Sequence, residues 1–266
     1  MFKFDVIATL LLFLAFFIEF ALIFAHKPEK NLIKDMKANF IIGLCLILVG
    51  LFIKTVEFSL FSFMYYMAPF KPDMTVWLWI VAFLSCDFIH YFYHWLGHKT
   101  RIFWAAHVTH HSSEYFNLST GWRTNFFHLF YRFIFWSPLC FLGFPPWLIM
   151  FIESITAIQN FLVHTEKVGK LGVLDRIFNT PSNHRVHHGT NPEYIDKNLG
   201  GILMIYDHMF KTYAKEIAPP VYGITHNIQT NDPYKIILHE YISMKKQIPG
   251  IKGFRKKLIY LFSPPE

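Results

Sequence analysis

The chain has 266 residues, 53% apolar and only 16% charged, with 31 phenylalanines and a formal net charge of +7. Globular domains average about 25% charged residues, so this composition argues against a soluble protein, and no basic-aromatic module points the positive charge toward nucleic acid. Cys45, Cys86 and Cys140 all lie in apolar stretches without a C-x2-C pair, which argues against a disulfide framework and a thiolate zinc ribbon.

In chain order, the first apolar run, 4–25, is broken only by Asp5 and Glu19 and is long for a signal sequence. It reads as a retained transmembrane helix. Two further spans are expected over 38–56 and 75–96, since a bilayer crossing needs about 20 apolar residues. The aromatic stretch 57–70 continues the second in interfacial style. A fourth apolar region, 126–163, contains Pro138, Gly143 and Pro145-Pro146 at its centre, which predicts a helical hairpin returning to the side it entered from. The loop 26–37 carries Lys27, Lys30, Lys34 and Lys37, and short lysine-rich loops stay cytoplasmic. The C-terminal stretch adds Lys245, Lys246, Lys252, Arg255, Lys256 and Lys257 on that face. The expected fold is therefore all-α: a multi-pass membrane bundle under a cytoplasmic cap. Residues 1–74 would form N-terminal spans, 75–215 a central domain including the 126–163 hairpin, and 216–266 a basic cytoplasmic tail.

Eight histidines fall in three tight groups: His94 and His98; His107, His110 and His111; His184, His187 and His188. Neutral imidazole is the commonest protein metal ligand, and a single structural zinc uses four ligands, so eight ask for two metals. His94 and His98, at i and i+4, share a helix face. In the H-x2-H-H groups the first residue aligns with both later ones, while the adjacent pair diverges by about 100°; one helix can then address two metals. Pro181 and the polar residues around it, Asn179 to Ser182, would start the last of these helices. By the topology above, every group lies at cytoplasmic helix ends. His26, His128, His208, His226 and His239 stand alone and are assigned no role, and His90, one turn before His94, is open to three readings: a ligand, a donor behind the ligands, or a polar residue of the third span. Imidazole suits zinc, copper, iron and nickel alike; the ligand number and the membrane setting favour a di-iron centre that activates dioxygen.

The order H-x3-H, H-x2-H-H, hairpin, H-x2-H-H resembles the fatty acid hydroxylase/sterol desaturase superfamily of integral-membrane di-iron enzymes. The segments Trp104–Glu114, Asn117–Thr120, His164–Glu166, Asn179–Gly189 and Tyr194–Asn198 are most similar to its alkylglycerol monooxygenase branch and bacterial relatives. The match covers about residues 80–215.

This resemblance implies a di-iron site, dioxygen as oxidant and hydroxylation of a lipid chain, and it adds His164 as a further ligand. It also implies that Asp87, Tyr91 and Asn160 lie just behind the ligands, with Asn160 placed to hold a metal-bound water. One departure is Lys99, where those enzymes have an acidic residue. The chain is also shorter and is expected to lack their extended C-terminal membrane region. The expected activity is hydroxylation of a fatty acyl or alkyl-ether chain, with a lipid or sterol desaturase or oxidase as the alternative on the same centre. A membrane metal-binding or transport protein is the reading from another class. No cytochrome b5, flavin or ferredoxin motif is visible, so electrons are expected from an external reductant, tetrahydropterin or a separate electron-transfer protein.

Overall fold

The computed structural model describes the backbone of residues 2–265 and the side chains of residues 12–265. Among these the architecture is helical, the only β pairing being isolated bridges at Phe178–Leu203 and Gly189–Tyr222. Helix α1 runs Phe2–Ala25, and Asp5 falls among its undescribed side chains. Helix α2 runs Lys30–Tyr66 and α3 Val76–Lys99; both are long and apolar enough to cross a membrane. Their outward side chains are large and apolar, including Leu48, Leu51 and Phe52 on α2 and Trp77 and Val81 on α3. In water such a band would be a severe liability; in a bilayer it is solvated.

The lysine-rich stretch 26–37, expected as a loop, breaks the helix only near Lys27–Glu29, where Lys27 takes a positive φ of 51°. From Lys30 the chain is already helical because lysine, leucine and methionine are good helix formers and no glycine or proline interrupts them. At 1.5 Å per residue α2 is about 55 Å long, well beyond the roughly 30 Å hydrocarbon core. Its first turns are therefore free to carry polar chemistry. Asp35 and Asn39, both buried, bond the Arg123 guanidinium at 2.8 and 2.9 Å. Arg123 Nε donates in turn to the Thr109 carbonyl (3.1 Å), and Ser113 Oγ donates to Asp35 (2.7 Å). This network clamps α2 to the segment that follows α4 (Arg101–His111).

The hairpin forms as α5 (Leu129–Phe141) and α6 (Pro146–Leu162). Gly143 sits at the turn with φ 93°, where a Cβ would lie 2.4 Å from the Phe70 carbonyl oxygen. With 13 and 17 residues, the arms reach only about 20 and 26 Å, less than a full crossing. Trp136, Leu139 and Cys140 of α5 and Leu148, Ile149 and Ile152 of α6 pack with Phe61 of α2 and Ala82 and Cys86 of α3 into the main core.

Beyond the hairpin come three short helices, α7 (Leu174–Ile177), α8 (Pro181–His187) and α9 (Ile205–Met209). Two more follow, α10 (Pro233–Gln247) and α11 (Phe254–Phe262). The C-terminal stretch is packed rather than free: Ile236 and Ile237 of α10 bury against Ala38 and Ile42 of α2. Arg101 at the start of α4 pairs with Glu240 at 2.7 Å.

Candidate metal centre

Three helix ends and one helix exit meet at a single point. α3 delivers His94 and His98 in its last turns, and α4 delivers His107, His110 and His111. α8 begins with Thr180, whose hydroxyl accepts from Asn183 N, and Pro181 at its first position; it ends on His184, His187 and, as C-cap, His188. His164 sits two residues beyond α6.

These nine side chains sort into two groups whose donor atoms all lie within 4.8 Å of one another. The first contains His94, His98, His107, His111 and His187, the second His110, His164, His184 and His188. Neighbours on α4, His110 and His111, thus go to different groups, as do His187 and His188. That is the outcome of their 100° offset on a helix. His107 is the hub of the first group, its Nε2 lying 3.0, 3.1 and 3.0 Å from the Nε2 atoms of His94, His98 and His111. In the second, His164 Nε2 lies 3.1 Å from His110 Nε2 and 3.0 Å from His184 Nε2.

The opposite edge of several rings is pinned. His94 Nδ1 bonds the Leu199 carbonyl at 2.9 Å, His187 Nδ1 the Lys197 carbonyl at 2.9 Å, and His164 Nδ1 the Asn160 carbonyl at 2.6 Å. A carbonyl can only accept, so each Nδ1 carries the proton and each Nε2 is left with a bare lone pair. His98 Nδ1 is held in the same sense by the Asp196 carboxylate at 3.2 Å.

Bare lone pairs at about 3 Å from one another repel unless a cation lies between them. The Nε2 atoms of His187 and His188 are buried and find no hydrogen-bond partner in the protein. Nitrogens about 2.1 Å from a metal and at right angles to each other would be about 3.0 Å apart, which matches the observed separations. Burial holds His107, His110, His111, His184, His187 and His188 well below the usual imidazole range, with neighbouring imidazoles adding to the effect for each. His164 is pushed down to about 4 by burial. The rings are therefore neutral and ready to ligate at physiological pH.

One loop orients most of the first group. Over residues 196–199 it presents the Asp196 carboxylate, the Lys197 carbonyl and the Leu199 carbonyl to His98, His187 and His94. Asp196 and Asn198 adopt positive φ of 58° and 54°, a conformation Asp and Asn tolerate better than most residues. Asn198 is fully buried and bonds the carbonyls of Asn183 and Ala214. Asp207 accepts from Leu199 N and Gly200 N, both at 2.8 Å. Asp87 binds this segment rather than a ring, accepting from Ile202 N and Leu203 N. The close approach requires Gly201, where a Cβ would meet Asp87 Oδ1 at 2.8 Å.

The Tyr91 hydroxyl likewise bonds a residue outside the histidine groups, Thr212, at 3.0 Å. Asn160 reaches the centre through its backbone carbonyl, while its side chain points toward His90 Nε2 at 3.4 Å. The roles of Asp196 and Asp207 escaped the sequence reading. Their signal was an acidic residue in a charge-poor segment, but nothing local says which ring it will meet.

Lys99 Nζ contacts the other Asp196 oxygen at 2.5 Å. Burial alone would raise the Asp196 carboxyl, yet hydrogen bonds from His98 and Lys99 outweigh it and hold it near about 2. Orienting partners of this kind are typically worth roughly 10–100-fold in metal affinity. Asp196→Ala is therefore expected to weaken metal retention on that scale in a chelator competition, and Lys99→Glu to weaken it in the same direction by setting two carboxylates against each other.

A cavity of about 470 Å³ adjoins the centre, and histidines of both groups line it: His94 and His107 of the first, His110, His164 and His184 of the second. Its other walls come from Leu12 of α1, Leu46 and Gly50 of α2, and a face of α6 bearing Glu153, Thr156, Asn160 and Phe161. Arg132 of α5 also lines it and pairs with Glu153 at 2.9 Å. His90 lies on this wall and in neither metal-holding group.

The helical frame carries two histidine groups able to hold metal ions, and the chain belongs to the fatty acid hydroxylase family, whose model matches residues 79–212. Among known proteins, the chain is similar to alkylglycerol monooxygenase of Homo sapiens, at 37% identity over 90% of this chain and 54% of that one. Alkylglycerol monooxygenase of Danio rerio is 38% identical over 88% of this chain and 52% of its own length. Ornithine lipid hydroxylase OlsE of Rhizobium tropici is 31% identical over 58% of this chain and 47% of its own. The chain spans about half the length of these relatives. No solved structure matches it.

Proposed function

We propose that the chain is an integral-membrane di-iron monooxygenase that hydroxylates a lipid, on a fatty acyl or alkyl-ether chain, using dioxygen. The observation that carries this reading is the shared cavity: both histidine groups open onto one space with an apolar wall. Five nitrogens in the first group exceed the four of a closed tetrahedral zinc site, which favours a larger coordination number. His94, His98, His107, His111 and His187 would hold one iron and His110, His164, His184 and His188 the other. Two irons so held would supply the redox power that an unactivated C–H bond demands.

The protein's own part is positional. The pinned Nδ1 atoms keep the donor edges converged, burial keeps the rings neutral, and the walls from α1, α2 and α6 exclude water from the chain to be oxidised. Each methylene buried there contributes about 0.8 kcal/mol, so chain length tunes binding. The names of the relatives, alkylglycerol monooxygenase and ornithine lipid hydroxylase, support lipid as the substrate class. The domain reading keeps 1–74 as membrane anchor, 75–215 as the oxidising domain and 216–266 as a basic stretch, with the histidines at the cytoplasmic side. Reducing equivalents enter from tetrahydropterin or a separate electron-transfer protein.

The test is metal analysis of the purified chain after anaerobic, iron-replete expression, with mass spectrometry of lipids formed under labelled dioxygen. Iron in both groups and one labelled oxygen per product are expected. Zinc with no iron would overturn the reading, and products short of two hydrogens would replace hydroxylation with desaturation.

A further inference from the structure

The helices α7 and α9 form one unit. Asn179 N bonds the Ile202 carbonyl at 2.8 Å, Met204 N the Ile177 carbonyl at 2.9 Å, and His208 the Arg176 carbonyl at 3.0 Å. It exposes several large apolar side chains: Val173 is 71% exposed and Met209 63%, with Leu174, Ile177, Ile205 and Phe210 between 47 and 52%. Exposure of this kind on a soluble cap would be anomalous.

Its position along α3 gives the reason. The unit is bound to α3 within three turns before that helix's first histidine: through Asp87 to Ile202 N and Leu203 N, through the Tyr206 hydroxyl to the Leu84 carbonyl at 2.7 Å, and through Phe210 stacked on Tyr91. The contact residues 84–91 lie about 12–22 Å from Val76 at 1.5 Å per residue. With Val76 at the far boundary of a core about 30 Å thick, the unit sits about 8–18 Å inside the near boundary. Interfacial helices bury their apolar faces about 5–10 Å deep.

Irregular backbone at that depth is tolerated only where the protein satisfies its polar groups. Here Asp87 and Asp207 accept the amides of residues 199, 200, 202 and 203, and Asn179 Nδ2 donates to the carbonyls of Gly200 and Gly201. The charges complete the pattern. Asp175 and Asp207, the acids of the unit, are buried and bonded inward, whereas Lys170, Arg176 and Lys211 are exposed, suited to anionic head groups.

We infer that the α7–α9 unit is a lip inserted into the bilayer leaflet beside α3, so that the histidine centre is seated at the head-group boundary rather than held above the membrane. The inference rests on α2 and α3 being membrane helices, and the experiment separates the two.

The full chain, with Cys45 replaced by alanine, is reconstituted in vesicles of mixed neutral and anionic lipid. With the buried Cys86 and Cys140 left in place, one accessible cysteine carrying an environment-sensitive fluorophore is introduced at a time, by Val173→Cys, Met209→Cys, Leu51→Cys on α2, or Ile217→Cys, exposed but off the unit. Labels at 173, 209 and 51 should lose emission to acyl-brominated lipid and resist aqueous iodide, with 217 showing the reverse. Iodide quenching at 173 and 209 while 51 answers to brominated lipid would overturn the lip and leave the membrane helices standing. Iodide quenching at 51 as well would overturn both.

Discussion

On the proposed di-iron reading, His107→Ala should abolish lipid oxidation and reduce bound iron from about two per chain to about one, because a two-metal site loses its function with either metal. His107 Nε2 is within 3.1 Å of three other donors, so its removal leaves His94, His98 and His111 converging on a point with no hub. The parallel variant His110→Ala should also end turnover while removing the other metal, since His110 belongs to the four-membered group. Spectroscopy of the residual iron is the discriminating measurement: the two variants should retain different single-metal signatures. Identical residual spectra, or turnover retained in either, would refute the division of donors between two metals.

The second large effect is on stability. Asp35→Ala is expected to cost about 3–5 kcal/mol, since it leaves a buried guanidinium without its carboxylate. Arg123 and Asp35 are 1% and 4% exposed at the side chain. Thermal unfolding in detergent should show the drop. The double variant Asp35→Ala, Arg123→Met should recover part of it, because removing both charges ends the unpaired burial. If the single and double variants unfold alike, the destabilisation comes from lost packing rather than from the orphaned charge. The arginine also bonds the Thr109 carbonyl next to His110, so metal retention should fall with stability in the single variant.

The parts of this architecture that are legible in sequence are those with local physics behind them. Gly143 and Pro145-Pro146 make the hairpin legible, Gly143 by taking a positive φ at the turn and Pro146 by starting α6, whereas Pro138, expected at the break, sits inside α5. The parting of His110 from His111 is fixed by helical geometry alone. Local physics also misled: Lys30, Lys34 and Lys37 were weighed as loop charges, although nothing in that stretch opposes a helix and α2 begins at Lys30.

Other features depend on contacts between distant residues. Asp196 meets His98 across 98 positions and Asp87 meets Ile202 across 115; no spacing rule reaches that far. His164 stands alone in the sequence, and only the family resemblance brought it to the centre. The cavity belongs to the same class, since Leu12, Gly50, Arg132 and Glu153 become neighbours only after α1, α2, α5 and α6 have packed.

The split of His110 from His111 and of His187 from His188 yokes the two groups together. Each group takes one donor from either side of the same two peptide units, one on α4 and one on α8. Neither helix can slide or rotate without moving both groups at once, and the interval between the groups is set by covalent geometry rather than by side-chain packing. Any yielding needed to admit a substrate must then come from walls of the cavity that carry none of these histidines.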